Sequence, residues 1–182
     1  MFTLQSSYVG DHEAVFGCVT ECDGVDYTVK YSDLMAVPSN PDLYTFTGYR
    51  AAHPYSHFAT QATINGIATA LQAYYAKYGK NPLLELNDSA LEGGGWFDLG
   101  LNWRCPHQYH SRGTAIDIDL IPDANMDDMV NFCKNSAGAE YAYAEPDKNN
   151  VHCEWSDSIP RYSSTACPFY PPGSPPPGLP LQ

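Results

Sequence analysis

The chain has 182 residues and a mass of 20.0 kDa, with 43% hydrophobic and 13% aromatic residues. That is enough apolar material for one packed domain with small appendages, and it excludes wholesale disorder. Nine Lys and Arg against 21 Asp and Glu give a net charge of −12, which argues against a nucleic-acid partner, since phosphate-backbone binding is driven by clustered cations.

The opening residues, Met1 to Gln5, have neither a basic segment nor a long apolar stretch and do not read as a secretory signal. No apolar run approaches the ~20 residues that would span a bilayer. The first fifty residues carry short strand-like runs at 14–16, 25–31 and 43–46. In the second of these Val25, Tyr27, Val29 and Tyr31 alternate with Asp26, Thr28 and Lys30, the period of a half-buried strand. Residues 1–50 are therefore expected to form a β-rich N-terminal extension. Next, Ile64, Ile67, Ala68, Leu71, Tyr74, Tyr75 and Tyr78 recur at helical spacing with Gly79 as a stop, which predicts a helix over 56–78. A strand at 83–86 precedes a glycine turn at Gly93 to Gly95. A second strand follows at 114–120, and Met126, Met129, Val130 and Cys133 mark a short helix ending near Gly138. A last strand is expected at 151–155. This order predicts an α+β domain over 51–160, with helices on one face of a mostly antiparallel sheet. Residues 161–182, rich in Pro and Gly, read as an extended tail.

Six cysteines, Cys18, Cys22, Cys105, Cys133, Cys153 and Cys167, fit disulfides in an oxidising compartment and hence a secreted or cell-surface protein. They allow 15 pairings, among which the sequence does not choose. Cys18 and Cys22 have no partner pair at similar spacing, so cysteine-bound zinc is not expected.

The chemistry concentrates in His107-Gln-Tyr-His110-Ser-Arg112-Gly113-Thr-Ala115-Ile-Asp117-Ile-Asp119. On a strand, Ile116, Ile118 and Leu120 project to one face, and Ala115, Asp117 and Asp119 to the other. Gly113 sits where the chain turns from the His110 loop into that strand, so a loop imidazole and a strand carboxylate can converge on one point. Both are good zinc ligands. A third ligand has few sources. His152 lies between Val151 and Cys153, so alternation sends it to the non-core face, as it does Asp117. Two imidazoles and one carboxylate leave an open coordination position, as catalytic rather than structural zinc requires.

The pattern His110-x-x-Gly113-x-Ala115-x-Asp117, with His152 some 35 residues on, resembles the zinc peptidase superfamily of D-alanyl-D-alanine carboxypeptidases, D-Ala-D-Ala dipeptidases and murein endopeptidases, whose fold the Hedgehog signalling domain shares. Pro106-His107-x-x-His110 is similar to the murein endopeptidase branch and Val151-His152-Cys153 to the Hedgehog branch, and the likeness covers residues 56–156. The resemblance implies one zinc ion on His110, Asp117 and His152. It implies Glu145, with Asp147 as runner-up, as the acid that takes a proton from the attacking water. A peptidoglycan or peptide substrate follows from it, and so does hydrolysis of peptide bonds in cell-wall cross-links or D-amino-acid peptides. His107, Arg112, Asp119 and Asn150 are candidate substrate contacts or supports of the ligands. Many members carry His-x-His where this chain has Asn150-Val151-His152, and Asn cannot transfer a proton at neutral pH. That substitution favours the alternative of a catalytically inactive, Hedgehog-like metal-binding adhesion or signalling module. His53 and His57, before the long helix, read as polar helix-entry residues, and Tyr74, Tyr75 and Tyr78 as the core and rim of the helix.

Overall fold

A computed structural model of the chain describes residues 10–15, 24–29, 32–48, 56–94 and 110–155. Strands β1 (Gly10–Val15) and β2 (Gly24–Val29) pair antiparallel from Gly10 opposite Val29 to Val15 opposite Gly24. Three two-residue strands follow: β3 (Met35–Ala36), β4 (Thr45–Phe46) and β5 (Phe58–Ala59), with β3 and β5 paired antiparallel.

Helix α1 spans Gln61–Tyr78. It begins later than the expected residue 56 because Phe58 is already committed to extended pairing, its N–H and C=O both bonded to Ala90 at 3.0 Å. Thr60 is the N-cap, its Oγ1 accepting the Thr63 N–H at 3.3 Å. At the far end Gly79 takes φ +79°, a conformation that glycine tolerates best, and donates to the Tyr75 carbonyl. Ile67, Leu71, Tyr74 and Tyr75 form its buried stripe, while Tyr78 stays at the rim.

Strands β6 (Glu85–Leu86), β7 (Ala115–Asp119), β8 (Tyr141–Glu145) and β9 (Asn150–Glu154) join β4 in one five-stranded sheet ordered β4-β6-β7-β9-β8. The β4–β6 pair is parallel and the other three are antiparallel. Between β7 and β8 the chain forms helix α2 (Asp123–Asn131), which widens into a π-turn at Phe132–Ser136 and ends before Gly138 at φ +71°. Strand β8 is not among the strands expected from the sequence, and β4 ties residues 45–46 to the main sheet rather than to the N-terminal hairpin. The chain is thus α+β. Among the described residues no helix is long and apolar enough to cross a membrane.

Two-residue periodicity divides the sheet into two unlike faces. Leu86, Ile116, Ile118, Ala142, Val151 and Cys153 share one core with Ile67 and Leu71 of α1 and Met126 and Met129 of α2. The other face carries Asp117 and Asp119 from β7, Asn150 and His152 from β9, and Tyr143 and Glu145 from β8, aligned by register. A disulfide between Cys133 and Cys153 fastens the π-turn to β9 on the core side. Cys18, Cys22, Cys105 and Cys167 lie outside the described residues. The bridge closes a loop of 20 residues, so replacing both cysteines with alanine is expected to lower stability by about 3 kcal/mol in urea unfolding. An unchanged midpoint would show that the bridge constrains neither state.

Candidate metal centre

His110 opens a 3-10 turn, His110–Arg112, that is closed by the Gly113 N–H bonding back to the His110 carbonyl at 3.1 Å. Gly113 sits at φ +66°, and a Cβ there would lie 2.3 Å from Leu34 Cδ2 and 2.8 Å from Ala59 Cα. Only glycine fits both the backbone angle and the space. Its carbonyl accepts from the Thr60 N–H at 2.9 Å, so the same residue that caps α1 anchors the turn delivering His110.

Asp117 stands mid-strand on β7, directly opposite His152 on β9. All three side chains are buried. His152 Nδ1 lies 2.8 Å from Asp117 Oδ1, and His110 Nε2 lies 3.6 Å from the same oxygen. The two imidazoles meet edge to face, with ring centres 5.0 Å apart. One ligand atom from each residue falls within 4.8 Å of the others, so this buried His110, Asp117, His152 group could hold a metal ion. Tetrahedral bonds of about 2.1 Å place ligand atoms about 3.4 Å from one another. The His110–Asp117 separation is near that value already, and the His152–Asp117 pair has only to open slightly. Two imidazole nitrogens and one carboxylate oxygen form a donor set suited to zinc and to its neighbours among the divalent transition metals. The expected ligands are thus brought together from a turn and two strands.

Of the remaining candidates, Asp119 shares the face of Asp117, but its Oδ2 accepts from Asn87 Nδ2 at 2.8 Å rather than from a ligand imidazole. Burial pushes its carboxyl up to about 6; the Asn87 hydrogen bond lowers it, and the charges of Asp117 and Glu85 raise it further. Asn150 is buried on β9, opposite Asp119 on one side and Glu145 on the other. Arg112 ends the His110 turn and is partly buried. Glu145 ends β8 on the ligand-bearing face, diagonal to His152, which puts their Cα atoms ~7–8 Å apart. Its Oε1 accepts from Lys148 Nζ at 2.7 Å. That hydrogen bond is the main cause holding the Lys148 ammonium above the usual lysine range, and the charge of Asp117 adds to it. The Glu145–Lys148 pair therefore lies within electrostatic reach of the triad. Asp147 is exposed in the 3-10 turn between β8 and β9.

His57 is not part of this group. Its ring packs against Phe46 at a tilt of 46° with centres 4.4 Å apart, Nε2 is 3.2 Å from the Leu86 carbonyl, and burial lowers its pKa. His53 and His107 lie outside the described residues. Two residues beside the site escaped the sequence reading: Lys148, and Tyr143, whose ring stacks on His152. The alternation Tyr141-Ala142-Tyr143-Ala144-Glu145 was the available signal, since a strand there sends Tyr143 to the face of His152.

No protein-family model matches this chain, and no curated protein matches it either.

Proposed function

We propose that the protein is a secreted or cell-surface zinc hydrolase of the D-Ala-D-Ala peptidase and Hedgehog superfamily, cleaving peptide bonds in peptidoglycan cross-links or D-amino-acid peptides. The observation that carries this reading is the convergence of His110, Asp117 and His152 within 4.8 Å on the polar face of a mostly antiparallel sheet. The Cys133–Cys153 disulfide supports an oxidising compartment.

His110, Asp117 and His152 would hold the ion. Zinc supplies Lewis acidity there, acidifying water and polarising an amide carbonyl. Glu145 works through its carboxylate: Oε1 is oriented by Lys148, leaving Oε2 to accept the proton of the attacking water and return it to the leaving amine. Asn150 can donate an amide hydrogen bond to a developing oxyanion but cannot carry a proton.

A second reading rests on Asn150 standing where many members carry a histidine: a metal-binding adhesion or signalling module without turnover. The two separate on one preparation of the full chain, assayed for metal content and for product release from cross-linked muropeptides. Near one equivalent of zinc with new product peptides is the expected result. Zinc without product from any muropeptide pool selects the second reading, and a chain that retains no zinc overturns both.

A further inference from the structure

Tyr143 occupies an unusual place for a large aromatic side chain. It projects from β8, at the end of the sheet order, on the polar face, and is 46% exposed. The register sets it directly opposite His152. Their rings lie nearly parallel, 23° apart, with centres separated by 4.9 Å. His152 itself is buried, with Nδ1 held 2.8 Å from Asp117 Oδ1 and the edge-on His110 ring beside it. One face of the imidazole is thus covered by the tyrosine, while one ring nitrogen is fixed by the carboxylate.

An imidazole rotates broadly about its outer torsion unless something flanks it. A parallel ring restricts that tilt and keeps the nitrogen on one line. It also keeps water from the imidazole's face, strengthening every charge interaction behind it. An imidazole that has given its lone pair to a divalent ion carries positive charge, which the negative face of an aromatic ring stabilises.

We propose that Tyr143 is a positioning residue of the metal centre: its ring, stacked on His152, holds that ligand in its metal-binding orientation and so sets how tightly the ion is kept. The inference rests on the reading that His110, Asp117 and His152 bind a metal. Tyr141 supplies an internal control. It is on the same strand and face and is 43% exposed, but it stands opposite Glu154 rather than a ligand.

The test measures zinc affinity of the full chain by competition with a chromophoric chelator, together with the visible absorption of the cobalt(II)-loaded protein. Tyr143→Ala is expected to weaken zinc binding roughly 10- to 100-fold, the range found when partners that orient a ligand are removed, and to alter the cobalt spectrum. Tyr143→Phe, which keeps the ring, should restore both, and Tyr141→Ala should leave both unchanged. Where Tyr143→Ala fails to fold, Tyr143→Leu takes its place with the same expected loss. Unchanged affinity and spectrum in the ring-deleted variant overturn the proposal. So does equal loss in Tyr143→Phe, which would assign the effect to the hydroxyl, or in Tyr141→Ala, which would assign it to the strand as a whole. A wild-type chain that binds neither metal instead removes the metal reading beneath it.

Discussion

Glu145→Gln is expected to reduce hydrolysis of cross-linked muropeptides by roughly 10²- to 10⁴-fold, the contribution of a positioned general base, while bound zinc stays near one equivalent. The substitution is isosteric, and its amide oxygen can still accept from Lys148, so the β8–β9 turn keeps its shape. What is lost is the ability of Oε2 to take a proton. Glu145 is not among the side chains whose atoms gather within 4.8 Å, and for that reason metal content should be indifferent to it. Loss of zinc together with activity would make Glu145 a ligand instead. Retention of full activity would pass the proton transfer to Asp147 or to a residue outside the described ones.

Asp117→Asn should abolish the thermal stabilisation that zinc confers on the wild-type chain. With free metal at 100 to 1,000 times its dissociation constant, binding to the native state alone adds about 3–4 kcal/mol. For a chain of this length that is on the order of 10 °C in Tm. Asp117 is the common partner of both imidazoles, at 2.8 Å from His152 Nδ1 and 3.6 Å from His110 Nε2. A neutral amide oxygen at the same place is a much weaker donor. Paired scans with zinc and with chelator measure the difference: a large gap in the wild type and none in the variant. An equal gap in both places the ion elsewhere and refutes this ligand set.

What could be read beforehand follows from which signals are local. β7 and β9 were legible because Ile116 and Ile118, and Val151 and Cys153, mark one buried side at a period of two, leaving Asp117 and His152 on the other. Helix α1 was legible in its body but not at its start, because its capping Thr60 is chosen by pairing of the preceding Phe58 with the distant Ala90. β8 went unread although its alternation was present. Ala142 and Ala144 are weakly apolar, and their burial comes from tertiary contact with α2 and the π-turn rather than from a hydrophobic run. Tyr143 and Lys148 went with it, since their relevance depends on the β8–β9 register. The disulfide partner of Cys133 was unreadable for a different reason: six thiols allow 15 pairings, and only the packing of the π-turn onto β9 selects Cys153.

The two unlike faces of β9 have a consequence for how this chain tolerates change. His152 and Cys153 are sequence neighbours that serve opposite sides of the sheet, one in the group that could hold a metal ion and one bonded to the interior. Deleting one residue from the β8–β9 connection would force β9 to slide by one step or invert, turning the His152 imidazole into the apolar core and the Cys153 sulfur onto the polar face in the same stroke. Substitutions at His110, Asp117 and His152, by contrast, fall on the polar face and leave the strand register unchanged. The β8–β9 hairpin is therefore intolerant of small insertions and deletions, so its descendants should diverge by substitution while keeping the length of the hairpin constant.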